Sequence, residues 1–395
     1  MEAEGLGMSE WREFELCEVA EVQTGPFGSQ LKNEQYITGG TPVVTVEHIQ
    51  DFRIEDFKYP SITDEDKERL SKYLMKEGDI LFTRVGSVDL SAYVNKHQDG
   101  WMFSSRMLRV RPNDEVNSRF LSYFFQQKIF RDYILNISVG ATMPSINTGI
   151  LKTIPISYPP LPEQKAIAEV LSSLDDKIDL LHRQNKTLEK MAKTLFRQWF
   201  VEEAKNDWEE RPLSSIANFL NGLACQKFPP KNKVDKLPVL KIKQLRNGFS
   251  DDSDWCTTEV KPKYIINNGD VIFSWSASLM VKIWDGEKCI LNQHLFKVTS
   301  GEFPKWFYYL WSKHHLDEFI SISLSHATTM GHIKRGDLDN ATVLVPSSAE
   351  IQKLSEIFTP LLDNIISNNK KLKNLVSIRD ILLPKLMSGE IRIQN

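Results

Sequence analysis

Gly78-Asp79-Ile80-Leu81-Phe82 and Gly269-Asp270-Val271-Ile272-Phe273 are one strand signal written twice in a chain of 395 residues. The passages around them repeat as well. Met107-Leu108-Arg109-Val110 returns as Leu295-Phe296-Lys297-Val298, and Ala141-Thr142-Met143 with Ile146 returns as Thr328-Thr329-Met330 with Ile333. Each copy is followed by a proline-marked strand and then a long helical stretch. The period, about 190 residues, is far above the tens of residues of a solenoid repeat, so it signals duplication of a whole domain plus helix.

Within each copy, short β-branched and aromatic runs such as Thr41 to Val46, Asp79 to Arg84, Met107 to Arg111, Val239 to Ile242 and Asp270 to Trp275 are separated by Gly, Pro and Asn. They read as strands of a mixed sheet. Ser118 to Tyr133 and Lys305 to Ile320 carry apolar residues three and four apart and read as helices. The expected class is α+β. Ile154-Pro155-Ile156 followed by Tyr158-Pro159-Pro160-Leu161-Pro162 closes the first globular part, with Pro162 suited to a first helical turn, and Val343-Leu344-Val345-Pro346 closes the second. The expected division is therefore 1–156 and 204–346 as similar globular domains, with 157–203 and 347–395 as helices.

From Leu171 the apolar residues step alternately by three and four through Leu174, Ile178, Leu181, Asn185, Leu188, Ala192, Leu195 and Trp199. Such a heptad is a coiled-coil seam. Phe358, Leu361, Ile365, Asn368, Leu372, Leu375, Arg379, Leu382 and Leu386 continue the same phase in the second helical stretch. Each seam holds one asparagine. If Asn185 faces Asn368 in an antiparallel pair, Leu188 meets Ile365, Leu181 meets Leu372, Ile178 meets Leu375, Leu195 meets Phe358, Trp199 meets Leu354 and Leu171 meets Leu382. Only Leu174 against Arg379 is awkward. A slipped register would set each amide against hydrocarbon, which penalises it. The competing expectation is that each helix packs on its own domain. Pro360 is expected to break the second helix locally, because it removes a donor and crowds the preceding turn. A seam of this length predicts a rod of roughly 40 Å, with two heads at opposite ends in inverted orientation and approximate twofold symmetry within one chain.

Composition sets wider bounds. Hydrophobic residues make up 41% and charged residues 26%, an ordinary globular balance. The N-terminus is acidic and no run is long and apolar enough to cross a bilayer, so a cytoplasmic protein without membrane contact is expected. Cys17, Cys225, Cys256 and Cys289 are scattered without ligand spacing, which favours reduced thiols over zinc or a disulfide framework. A net charge of −3 leaves a polyanionic partner open, since local charge decides. Lys227, Lys231, Lys233, Lys236, Lys241, Lys243 and Arg246 are opposed in their stretch by Asp235 alone. Arg106, Arg109, Arg111, Arg119, Lys128 and Arg131 are opposed by Asp114, Glu115 and Asp132. Either cluster could equally be a solvated face.

With these features in place, the chain resembles the specificity subunits of type I restriction-modification systems. The resemblance is carried by Pro159-Pro160-Leu161-Pro162-Glu163-Gln164-Lys165 with Ile167-Ala168, by the repeated Gly-Asp strand, and by Leu382-Leu383-Pro384-Lys385-Leu386 with Ser388-Gly389-Glu390-Ile391. It covers essentially the whole chain, and the ordered set of domain, helix, domain, helix is its most specific part. The resemblance implies a non-catalytic subunit that binds double-stranded DNA, each target recognition domain reading one half of an asymmetric bipartite site while the helices act as a ruler. It also implies two methyltransferase subunits docked on the helices, restriction subunits in the full complex, and no cofactor in this chain.

The heads diverge where readout would vary: Thr83-Arg84-Val85-Gly86-Ser87 becomes Ser274-Trp275-Ser276-Ala277-Ser278. Thr83, Arg84, Ser87, Ser274 and Ser276 are therefore the first candidates for DNA contact, as hydroxyls and a guanidinium suit base edges and phosphates. An ordinary hairpin turn is the plain alternative. Thr142, Ser145 and Asn147, with Thr328, Thr329, His332 and Lys334, form a second set, and Gly25, Gly28, Ser29 and Gln30 an early loop. Asn292, Gln293 and His294 stand where the first head has Ser104, Ser105 and Arg106, and amides suit adenine. Lys241, Lys243 and Arg246 are candidate phosphate neutralisers.

Catalysis by the chain itself finds little support in the residues. There is no Gly-rich cofactor loop, no Asn-Pro-Pro-aromatic motif and no Walker A loop. Glu259-Val260-Lys261 resembles a nuclease fragment, but Asp254 lies too near in sequence to complete the usual metal site. His314 and His315 cannot share one metal from a helix, because neighbours point roughly 100° apart. A protein adaptor without DNA is the remaining alternative.

Overall fold

The structure is a computed structural model and describes residues 11–55, 57–140, 142–325 and 331–393. The chain divides into two compact units, residues 1–177 with 375–395, and residues 178–374.

In the first unit a four-stranded antiparallel sheet has the spatial order Ala20–Thr24, Met107–Pro112, Ile80–Thr83, Ser91–Tyr93. A second sheet sets Thr41–Val44 between Ser61–Ile62 and Met102–Phe103, and the latter pairing is parallel. Arg12–Glu15 pairs with Pro155–Tyr158 where the chain leaves the head. The second unit repeats this plan. Asn218–Asn221, Leu295–Thr299, Val271–Ser274 and Met280–Ile283 form its antiparallel sheet, and Lys236–Leu240 runs parallel to Cys289–Leu291. Glu209–Pro212 pairs with Thr342–Val345. Each head is thus mixed α+β, its sheet faces covered by helices such as Ser118–Gln126 and Lys305–His314.

The repeated Gly-Asp signal has a structural cause. Gly78 and Gly269 sit at φ +90° and +88°, where a side chain is strained. The carboxylate that follows closes the turn: Lys76 N–H donates to Asp79 Oδ2 at 2.7 Å and Asn267 N–H to Asp270 Oδ2 at 2.8 Å. Each carboxylate also holds a cation on the central strand. Arg111 binds Asp79 through two 2.7 Å bonds, and Lys297 binds Asp270 at 2.7 Å.

The first long helix spans Leu161–Arg197, with a π-helical turn over Gln198–Glu202, and the last spans Ser348–Met387. In the first unit Ile167, Ala168 and Leu171 share a core with Leu386 and Met387. In the second, Ala192, Phe196 and Phe200 share one with Phe358 and Leu362. The start of one helix therefore meets the end of the other inside each unit, which is antiparallel packing. Both helices also bury residues in the heads, so packing on a partner helix and packing on a domain occur together. Asn368 Nδ2 donates to Asn185 Oδ1 at 3.0 Å, and Asn185 Nδ2 to Asn369 Oδ1 at 2.6 Å; Asn185 and Asn368 are each 8% exposed and Asn369 is half-buried. Arg379 avoids the apolar seam by donating to Asp175 Oδ1 at 3.1 Å.

Pro360 does not break its helix, which runs unbroken through it. Its ring is exposed, while Phe358, stacked on Trp306 at 4.5 Å, and Leu362 anchor both sides in the core. Tertiary burial overrides the local penalty. Pro360→Ala should accordingly stabilise the second unit by about 1–3 kcal/mol, the helix-interior cost of proline less whatever the helix has already absorbed. Urea unfolding checks this; a midpoint at or below that of the unsubstituted chain would contradict it.

Candidate nucleic-acid interface

At one end of the antiparallel sheet in each head, backbone bonds gather four loops. In the first head Arg84 N–H donates to Arg106 O at 2.8 Å, Gly86 N–H to Pro144 O at 2.9 Å, Ile146 N–H to Arg84 O at 3.0 Å and Gly25 N–H to Met107 O at 3.3 Å. The second head repeats the scheme: Ala277 N–H donates to Gly331 O at 2.7 Å, Ile333 N–H to Trp275 O at 3.0 Å and Gly222 N–H to Leu295 O at 3.1 Å. The strand pairings Thr83 with Met107 and Ser274 with Leu295 make Arg84 the equivalent of Trp275. Loops far apart in sequence, near 25, 85, 105 and 142 or near 222, 276, 293 and 332, thus form one mouth per head.

These loops share a chemical peculiarity. Residues 24–30, 84–88, 104–106 and 142–147 include no Asp or Glu, and neither do 221–225, 275–279, 292–294 and 331–334, although acids make up 52 of the 395 residues. What they carry instead is Arg84, Arg106, Lys334, histidines, hydroxyls and amides. The acids that flank them in sequence are engaged: Asp89 pairs with Arg131, and Asp337 accepts from the Lys334 backbone N–H at 2.7 Å, so they offer a polyanion little opposing charge.

Individual candidates fall into two groups. Arg84 is half-buried, while Ser87, Arg106, Thr142 and Lys334 are exposed. Gln293 and His332 are half-buried at the mouth, with His332 bridged to Ser276. Others are turned inward, which corrects the expectation that they offer free polar atoms. Thr83 is fully buried and its hydroxyl donates to Leu90 O at 3.1 Å. Ser274 is fully buried and donates to Ser276 O at 3.3 Å. Ser276 and Asn292 are each 6% exposed, and Asn292 Oδ1 accepts from His294 N–H at 3.3 Å. Asn147, by contrast, is exposed, but its Oδ1 is taken up in capping the helix Thr148–Lys152, accepting from Ile150 N–H at 2.9 Å. Thr328 lies outside the described residues, as does Thr329.

The basic clusters are likewise reshaped by folding. Arg109 is 1% exposed and lies against Glu21 at 3.2 Å, burial lowering its pKa. Arg131 pairs with Asp89, and Arg119 lies 3.9 Å over the Tyr93 ring. Lys243 pairs with Asp252 at 2.7 Å, Lys241 with Asp254 and Lys231 with Glu259. All three lysine pairs are exposed, so each contributes little to stability and yields readily to a stronger anion. Lys241 follows Leu240, whose carbonyl accepts from Asn292 N–H at 3.2 Å, so it adjoins the mouth. The nuclease-like Glu259 and Asp254 are the partners of those lysines. His315 is held by Glu318 and Thr342 O at 3.0 and 2.9 Å.

Sequence reading passed over Trp275, the centre of the second mouth. Its ring stacks on Phe296 at 5.7 Å and lies 5.9 Å from His294, and its Nε1 donates to Asn221 Oδ1 at 3.3 Å. Exposed Phe27, whose ring lies 5.8 Å from the Arg84 guanidinium, and exposed Met143 were passed over too, since isolated apolar residues usually signal core. Among the described residues no helix is long and apolar enough to cross a membrane.

Comparison with known proteins finds one family domain in both halves of the chain. A family model for the type I restriction modification DNA specificity domain fits residues 8–190 and again 205–377. The MjaIX type I restriction enzyme specificity subunit of Methanocaldococcus jannaschii is 28% identical, with 98% of this chain and 94% of the relative aligned. The HindI specificity subunit of Haemophilus influenzae is 20% identical over 97% and 100% of the two chains. In fold, the S subunit from M. genitalium superposes with a TM-score of 0.63 over 98% of both chains at 17% identity.

Proposed function

Because the chain belongs to the family of type I restriction-modification DNA specificity domains and is a non-catalytic specificity subunit, we propose that each acid-free mouth reads one half of an asymmetric, bipartite site in double-stranded DNA. The observation that carries this reading is the convergence of the same four loops, without a carboxylate, in both heads. Residues 1–156 and 204–346 hold the readers. The helices of 157–203 and 347–395 set the interval between half-sites and dock two methyltransferase subunits, with restriction subunits joining the full complex. Unlike side chains at equivalent positions give unlike half-sites. The chain needs no cofactor of its own and works in the cytoplasm, where host DNA is its substrate for recognition.

Two contributions are separable in this reading. Arg106, Lys334, Lys241, Lys243 and Arg246 neutralise phosphates, and residues at the centre of each mouth meet bases. Replacing Arg106 by alanine should make the plot of log affinity against log salt shallower by about one. Replacing Lys241, Lys243 and Arg246 together should flatten it further and weaken all sequences alike. An unchanged slope in both would refute the phosphate role. The reading as a whole is tested by mapping methylated adenines in host DNA with and without this gene. Loss of one bipartite motif is the expected result, and an unchanged methylome would overturn it.

A further inference from the structure

We propose that the equivalent positions Arg84 and Trp275 are the specificity-determining pair of the two heads: Arg84 selects a guanine in the first half-site, and Trp275 selects a thymine in the second. This rests on the reading of the mouths as DNA-binding and deepens it by naming the bases.

The two side chains occupy one architectural slot. Each follows the last residue of the strand that the Gly-Asp turn begins, and each carbonyl accepts at 3.0 Å from the isoleucine of the fourth loop, Ile146 or Ile333. Each side chain also touches the polar residue just before the glycine of the first loop, Gly25 or Gly222. Arg84 Nη1 donates to Thr24 Oγ1 at 3.4 Å, and Trp275 Nε1 donates to Asn221 Oδ1 at 3.3 Å. The slot is thus fixed by the backbone in both heads while its chemistry is exchanged, as a position that distinguishes two half-sites requires.

The chemistry left available differs. Both side-chain bonds of Arg84 leave from Nη1 and both are 3.4 Å long, the second going to Ser105 O. The Nε and Nη2 donors form a parallel fork for an incoming pair of acceptors, and the half-exposed Phe27 ring under the guanidinium at 5.8 Å limits its swing. Among base edges, only guanine offers two adjacent acceptors, O6 and N7, in the major groove. Trp275 has the opposite character. Its single donor is taken by Asn221, and its half-buried ring is backed by Phe296 and flanked by His294 and His332, so what the ring itself can still offer is a hydrocarbon surface. The one apolar group on a base edge is the thymine methyl. A polar edge pressed against that ring would lose its water without gaining a bond.

The test uses the chain assembled with its methyltransferase subunits in cells, with the methylated motif read across the genome, and in vitro on duplexes carrying single base changes. Arg84→Ala should make one guanine of the first half-site degenerate and leave the second half-site intact. Trp275→Ala should do the same for one thymine of the second half-site. Discrimination should fall by roughly 5- to 150-fold at the guanine, the range for one good bidentate base contact, and by roughly 4-fold at the thymine, the worth of one buried methyl. Arg84→Lys should keep part of the guanine preference. Duplexes with uracil in place of that thymine, which lack only the methyl, should mimic Trp275→Ala when offered to the unsubstituted complex. A purely structural role would lower methylation at every site alike with both motifs unchanged, and that result would overturn the proposal even if a variant is poorly folded, because the uracil duplexes need no variant. If the unsubstituted complex itself yields no bipartite motif, the DNA-reading function fails first.

Discussion

Asp79→Ala is expected to be the most damaging single substitution in the first unit, costing about 3–5 kcal/mol, the range for breaking a buried ion pair by removing one partner. Asp79 is 1% exposed and serves three groups at once: Arg111 at 2.7 Å, Lys76 N–H at 2.7 Å and the Arg109 guanidinium at 3.9 Å. Removing it leaves Arg109, itself 1% exposed, with Glu21 as its ion-pair partner among the described residues, in a place where an uncompensated charge is costly. It also frees the Lys76 amide that closes the turn at Gly78. For a unit of this size each kcal/mol lowers the melting point by about 2–4 °C, so a loss of about 6 °C or more is expected. Asp270→Ala should cost less, because Lys297 and Asp270 are 15% and 24% exposed and the ammonium keeps Ile265 O at 3.1 Å. Thermal unfolding followed by peptide-resolved hydrogen exchange distinguishes the heads. Equal losses from the two substitutions, or a shift within a degree or two for Asp79→Ala, would show that burial of the pair is not what gives the motif its weight.

That the Gly-Asp turn recurs for a structural rather than a recognitional reason bears on what could be read from the sequence. Duplication, the α+β class and the heptad phase are periodic signals, carried by many residues at once, and they survive the loss of any one. The helix break expected at Pro360 failed because it was inferred from a single residue. Its penalty is local, whereas Phe358 and Leu362 are fixed by rings and aliphatic groups of the second head that no window around Pro360 contains.

The mouths were half legible for a similar reason. Comparing the copies brought forward the loops that the backbone gathers at one end of each sheet, because the loops differ where the strands agree. Which atoms in them remain available depends on direction. Thr83 and Ser274 are strand residues that point inward, and Asn147 has the short oxygen that helix starts recruit. The basic stretch from Lys227 to Arg246 looked almost unopposed because Asp252, Asp254 and Glu259 lie just beyond it in sequence and are brought back by the pairing of Lys236–Leu240 with Trp255–Thr257. Trp275 carried a usable signal, its position opposite Arg84 in the repeat, which residue type alone concealed.

The close approach of loops within each mouth gives the second large expectation, and it is specific to one head at a time. A Cβ on Gly25 would stand 2.2 Å from the Ser104 carbonyl oxygen, and one on Gly222 would stand 2.2 Å from that of Asn292. Both obstacles are backbone atoms of the Ser104–Arg106 or Asn292–His294 loop, so no side chain can swing aside. Gly25→Ala must therefore push the first loop away from the third, at about 1–3 kcal/mol by the usual cost of overpacking. Functionally the effect should exceed the loss of stability, since a displacement of about 1 Å in residues that position a reacting or recognised group can cost a hundredfold. Thr24, which steadies Arg84, and Arg106 lie on the two loops that must separate. Gly25→Ala should abolish recognition of the first half-site in duplex binding while sparing salt-dependent binding to unrelated DNA, and Gly222→Ala should do the same for the second. Each variant, assayed on duplexes in which one or the other half-site is scrambled, identifies the head that has failed. If Gly25→Ala instead weakened both half-sites equally, or neither, the early loop would have no part in the first mouth and the four-loop assembly would have to be redrawn without it.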